Sequence, residues 1–130
     1  MWPDWFSPTL IDLEPAAYGP FPESFRLTAA GDVTLVGTAG HTPGHASVVL
    51  EEGDRSIMFA GDASYTEQLM AEGRADGVSP DLDAARLALS RIQRFARERE
   101  VVYLPSHDPE SARRLRDRQV VTAHGRTGPS

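Results

Sequence analysis

Three observations in the sequence predict a small α/β domain. Two runs rich in Val, Ile and Phe flank a Glu-Gly-Asp turn, a capped amphipathic helix follows, and a short apolar strand comes after that helix. With 130 residues, 40% of them apolar, the chain is long enough to bury one modest core.

The elements follow in order. Residues 1–24 carry Pro3, Pro8, Pro15, Pro20 and Pro22, which interrupt helix and remove sheet donors, so they predict an irregular arm. Its aromatics, Trp2, Trp5, Phe6, Tyr18 and Phe21, are expected to pack on the domain body or on a partner. From 25 to 38 short apolar runs such as Val33-Thr34-Leu35-Val36 alternate with Gly and Asp in a strand pattern. Ala46 to Glu51 and Arg55 to Ala60 predict a hairpin about Glu52-Gly53-Asp54.

Ser79-Pro80-Asp81 opens the clearest helix, with Ser79 as cap and Pro80 at the first helical position. Leu82, Ala85, Leu89, Ile92 and Ala96 form its apolar stripe, broadened by Leu87, Ala88 and Phe95. Val101 to Leu104 reads as a buried strand, and Asp108-Pro109-Glu110 opens a helix running to about Gln119. Residues 123–130, with His124, form a flexible tail, so that sheet and helices occupy 25–122 of a single domain.

Charge and composition narrow the function. Thirteen Lys and Arg against nineteen Asp and Glu give a net charge of −6, without the basic footprint of a nucleic-acid binder. The Arg residues of 91–99 and 113–118 read as solvated helix faces. The absence of cysteine leaves His and carboxylates as metal donors and suits the cytoplasm. No signal peptide is evident at the start, and no apolar run approaches the roughly 20 residues of a membrane span.

Three segments carry chemistry: Gly40-His41-Thr42-Pro43-Gly44-His45, Gly61-Asp62-Ala63-Ser64-Tyr65-Thr66, and Pro105-Ser106-His107-Asp108. Each falls in a loop at a strand end, where a rigid sheet can hold ligand-bearing side chains. A dinuclear hydrolase needs neutral imidazoles and a carboxylate able to bridge two cations about 3.5–4 Å apart. The order His, Asp, His resembles the metallo-β-lactamase fold family, and Asp-Ala-Ser-Tyr brings it nearest to that family's N-acyl-homoserine lactonase branch.

The resemblance implies the C-terminal half of an αββα sandwich, a mixed sheet with helices on one face. It implies His41 and His107 as zinc ligands, Asp62 as the bridging carboxylate, and Tyr65 as the donor to the oxyanion that develops on a lactone carbonyl. His45 is expected to be structural, and Asp108 a helix cap rather than a ligand. The family's His-x-His-x-Asp-His cluster does not occur in the 130 residues. The resemblance therefore implies a truncated chain that lacks half of the donors of a two-zinc site and holds at most one zinc weakly. Its inner sheet face is expected to be covered by a missing N-terminal half or by a second copy. The implied substrate is a small ester or lactone such as an N-acyl-homoserine lactone. The alternatives are thioester hydrolysis of the glyoxalase II kind and a non-catalytic remnant of the fold.

Overall fold

The computed structural model describes residues 3–75 and 81–122. Its central hairpin joins β3 (Ala46–Glu52) to β4 (Arg55–Gly61) through Gly53 and Asp54, with Glu52 paired to Arg55. Gly53 has φ +62°, a backbone that glycine adopts freely and that the first residue of a II′ turn requires. Outside this pair, β2 (Val33–Gly37) runs antiparallel to β3, and the three-residue β1 (Ser24–Arg26) antiparallel to β2. On the other side β5 (Glu100–Pro105) is parallel to β4. A parallel pair needs a long crossover, which α1 (Glu67–Ala71) and α2 (Leu82–Glu98) supply. The sheet is thus mixed, in the order β1-β2-β3-β4-β5, and α3 (Ser111–Asp117) follows it.

Alternation decides which residues meet α2. Val36, Val49, Met58, Val101 and Tyr103 point to one face and form the main core with Leu89, Ile92, Phe95 and Ala96 of α2. The expected stripe is therefore buried except at Leu82 and Leu87, which are 40% and 49% exposed. Leu87 precedes Leu89 by two residues, roughly 200° around the helix, so it faces outward. Capping falls on Asp81, whose carboxylate accepts from Ala84 N at 3.0 Å. The expected roles of Ser79 and Pro80, like those of Trp2 and His124, lie outside the described residues.

On the other face Phe25, Leu35, Val48, Phe59 and Leu104 form one cross-strand row. Leu104 is buried with Ile57, Val102 and Leu115 of α3, whereas Phe59 is 41% exposed. The arm divides in the same way. Tyr18 and Phe21 bridge to one another and pack on Phe95, Phe21 being fully enclosed, while Trp5 is 80% exposed.

The start of α3 differs from the expectation. Asp108 does not open that helix: its Oδ1 accepts from Glu110 N at 2.9 Å, and its Oδ2 from Glu67 N, in the first turn of α1, at 3.0 Å. The helix begins at Ser111 and ends at Asp117, before Arg118 in the left-handed region.

Candidate functional site

The site lies beyond the C-terminal ends of the parallel pair β4 and β5, where loops leave Gly61 and Pro105, two residues that are themselves paired. Ser106 N donates to Gly61 O at 2.9 Å, which holds the two loops together. Beside them is the turn from Thr38 to His45, closed by Thr38 N donating to His45 O at 3.0 Å. That turn rests directly on α2. A Cβ at Gly40 would stand 2.5 Å from Ala85 Cα and 2.8 Å from Ala85 N, a clash with backbone that only glycine avoids.

The folded chain brings together the three side chains named from the motifs, across 21 and 45 residues of sequence. His41 Nε2 lies 3.5 Å from Asp62 Oδ2, and His107 Nε2 lies 3.0 Å from Asp62 Oδ1. The second approach is close without hydrogen-bonding geometry, so Asp62 Oδ1 is buried and has no hydrogen-bond partner. Tyr65 stands with its ring perpendicular to His107, the centroids 5.6 Å apart, and both side chains reach solvent.

His45 is built into the scaffold. Its Nε2 accepts from Asp62 N at 3.0 Å, so this nitrogen carries a lone pair and Nδ1 carries the proton toward Thr38 Oγ1, 2.9 Å away. Thr38 Oγ1 then lies 2.9 Å from Ser47 Oγ, which donates to Ala60 O at 3.2 Å. Burial lowers the His45 pKa and outweighs the opposing effects of its contact with Thr38 and of the Asp62 charge. The neutral ring therefore fixes the backbone from which Asp62 projects. At Gly61 an added Cβ would come 3.0 Å from His45 Nε2.

The donor set suits zinc in kind but not in number. Two imidazoles face different oxygens of one carboxylate, an arrangement suited to a bridge, and one of those oxygens is a buried acceptor with an unused lone pair. Among the described residues no group of three His, Asp or Glu side chains is placed to hold one ion. His41 and His107 form two pairs with Asp62, one on each carboxylate oxygen.

The motifs did not reveal the polar groups behind the site. Ser64 Oγ lies 2.8 Å from the Tyr103 hydroxyl, and Arg114, buried beside Asp108, donates to Tyr103 O at 3.2 Å. No spacing signal marks such pairs, because their partners meet only in the fold.

Comparison with known proteins agrees with the motifs. The family model of the metallo-beta-lactamase superfamily matches residues 3–107. No curated protein matches the chain. A solved structure of AiiA from B. thuringiensis with N-decanoyl-L-homoserine bound at its active site is similar at 25% identity and TM-score 0.60. The match covers 69% of this chain and 35% of that one. A quorum-quenching N-acyl homoserine lactone hydrolase is similar at 25% identity and TM-score 0.58, covering 67% and 35%. AidC, a dizinc quorum-quenching lactonase, shares the fold at 20% identity and TM-score 0.53, covering 63% and 29%. The chain thus spans about a third of the length of the solved lactonases it matches. Among the described residues no helix is long and apolar enough to cross a membrane.

Proposed function

Because the chain belongs to the metallo-beta-lactamase superfamily, we propose that it carries half of a zinc-dependent lactonase site, with N-acyl-homoserine lactones as substrate class and the cytoplasm as location. His41, Asp62 and His107 are the ligands in this reading, Asp62 bridging, and Tyr65 is the catalytic hydroxyl. One observation carries it: a buried carboxylate oxygen that makes no hydrogen bond faces an imidazole whose ring meets the tyrosine edge-on. Solved lactonases with the same fold support the substrate class.

Bound zinc supplies Lewis-acid polarisation of the lactone carbonyl. The chain's own residues do the rest of what this half can do. Tyr65 donates its hydroxyl proton as a hydrogen bond to the carbonyl oxygen and holds that bond as the oxygen becomes an oxyanion. His45 keeps the Asp62 backbone in place. The remaining ligands and the proton donor to the leaving alkoxide come, in this reading, from a segment bearing His-x-His-x-Asp-His.

Lactone opening followed by proton release, with and without zinc, tests the reading. The chain alone is expected to be nearly inactive, the chain joined to a segment with His-x-His-x-Asp-His active, and Tyr65→Phe in the joined chain slower by about 10²–10³, the usual loss for one oxyanion donor. An unimpaired Tyr65→Phe would remove the tyrosine from the mechanism. No activity in the joined chain would remove the lactonase reading.

A further inference from the structure

Behind the His107 loop lies a buried charge pair that the reaction does not touch. The side chains of Asp108 and Arg114 are only 6% and 5% exposed, and Arg114 Nη2 is paired with Asp108 Oδ2. The same Oδ2 accepts from Glu67 N at 3.0 Å, while Oδ1 accepts from Glu110 N at 2.9 Å. Arg114 is anchored in turn by donating through Nε to Tyr103 O of β5 at 3.2 Å.

The position of these partners gives the pair its meaning. Asp108 is the next residue after His107, and Glu67 opens α1 two residues after Tyr65, behind the cap made by Thr66. One carboxylate therefore joins the loop of the His107 ring to the turn that carries the Tyr65 ring. Ser64 adds a parallel tie, donating to Thr66 O at 2.8 Å and meeting the Tyr103 hydroxyl. Burial favours the neutral carboxyl, but the Glu67 and Glu110 amides and the Arg114 guanidinium outweigh it and hold the Asp108 pKa below its usual value.

We propose that Asp108 and Arg114 are positioning residues of the site: by tying the His107 loop to the first turn of α1, they set the separation of the His107 and Tyr65 rings. The proposal rests on the reading of His107 as a ligand and Tyr65 as the oxyanion donor. A pair that served only global stability could be removed from a chain that still folds without changing how those two rings meet.

Two readouts separate these roles. Proton NMR of the chain without metal reports the Tyr65–His107 ring contact, and calorimetry with zinc reports affinity. Asp108→Ala and Arg114→Met are expected to lose the ring contact and to bind zinc about 10–100-fold more weakly, the usual effect of removing a residue that orients a ligand. Arg99→Met, which breaks an ion pair at the opposite end of the sheet, is expected to lower Tm while leaving both readouts as in the parent. Asp108→Asn keeps an oxygen for Glu67 N–H but gives up the charge, and should fall between parent and Asp108→Ala. It decides the question if the alanine variant does not fold. A folded Asp108→Ala, or failing that Asp108→Asn, with the parent's ring contact would overturn the proposal, as would an equal loss of that contact in Arg99→Met. The ring contact is read without metal or lactone, so its result is independent of whether the joined chain opens lactones.

Discussion

The two ends of strands β3, β4 and β5 treat their polar groups in opposite ways. At the hairpin end Glu51 accepts from Tyr18 Oη at 2.5 Å, Ser56 Oγ at 2.6 Å and Arg99 Nη2 at 2.5 Å, and Arg99 Nε donates to Ser56 Oγ at 2.8 Å. Burial and Glu51 together raise the Tyr18 pKa, so the phenol stays a donor and ties the arm to the sheet. At the site end, among the described residues, lie the two buried side-chain atoms without a hydrogen bond, Asp62 Oδ1 and Glu67 Oε1. A buried acceptor left open is unfavourable unless a ligand fills it, so strands satisfied at one end and open at the other divide stability from function along their own length. Ligands characteristically bind beyond the carboxyl ends of parallel strands, and β4 and β5 place the open groups there.

The largest expected effect comes from Gly40→Ala, since the turn bearing His41 touches α2 through backbone. The added methyl meets Ala85 Cα at 2.5 Å, and neither the turn nor the helix can yield cheaply. A loss near 3 kcal/mol is expected, the upper part of the usual range for overpacking. Urea denaturation measures it. A loss below about 0.5 kcal/mol, the level of an ordinary surface substitution, would mean that the site end is loosely held and that its open groups reflect slack rather than design.

A pair of variants with opposite expected signs comes next. Arg99→Met removes a donor that serves both Glu51 and Ser56, and should lower stability by about 1–2 kcal/mol, less than for a fully buried pair because Arg99 is partly exposed. Asp62→Ala, in the chain kept free of metal by a chelator, should leave stability unchanged or raise it, because it removes a buried oxygen that makes no hydrogen bond, at the cost only of partly exposed approaches to His41 and His107. Thermal melts of the two variants against the parent check both signs. If Asp62→Ala lost as much as Arg99→Met, the ends would not differ in the way described.

How much of this was legible in the sequence depended on the range of the interactions. The β3–β4 hairpin was legible because two runs rich in Val, Ile and Phe flank Glu52-Gly53-Asp54, which are local signals. Helix α2 was legible from its period, apart from Leu82 and the outward turn of Leu87, which stay exposed. Helix α1 was not: it has five residues, of which Met70 is the buried one, too short for any period to show. The beginning of α3 was misplaced because Asp108 satisfies amides at Glu110 and, 41 residues upstream, at Glu67 in the first turn of α1, so the helix start it serves is α1 rather than α3. In the site, the motif residues His41, Asp62 and His107 were legible as a set that lies together, whereas Arg114 was not, since an Arg on a short helix ordinarily faces solvent.

The smallest expected effect, Glu67→Gln, tests whether Glu67 belongs with the open groups. Burial raises its pKa above the ordinary 4.5 and the Asp108 charge adds to this, while Arg114, with Nη1 3.8 Å from Oε2, opposes both. The folded chain therefore holds the Glu67 proton more tightly than the unfolded chain does. Stability from this group is complete below about pH 4.5 and is lost as pH rises through the higher folded value. Glutamine keeps the shape without the charge, so the variant should melt above the parent at pH 7, by no more than a few degrees, and the difference should vanish near pH 4.5. Melts at the two pH values decide it. A glutamine variant less stable at pH 7 would show that the attraction to Arg114 exceeds the burial penalty, and Glu67 would then join the satisfied groups, leaving Asp62 as the open carboxylate of the site.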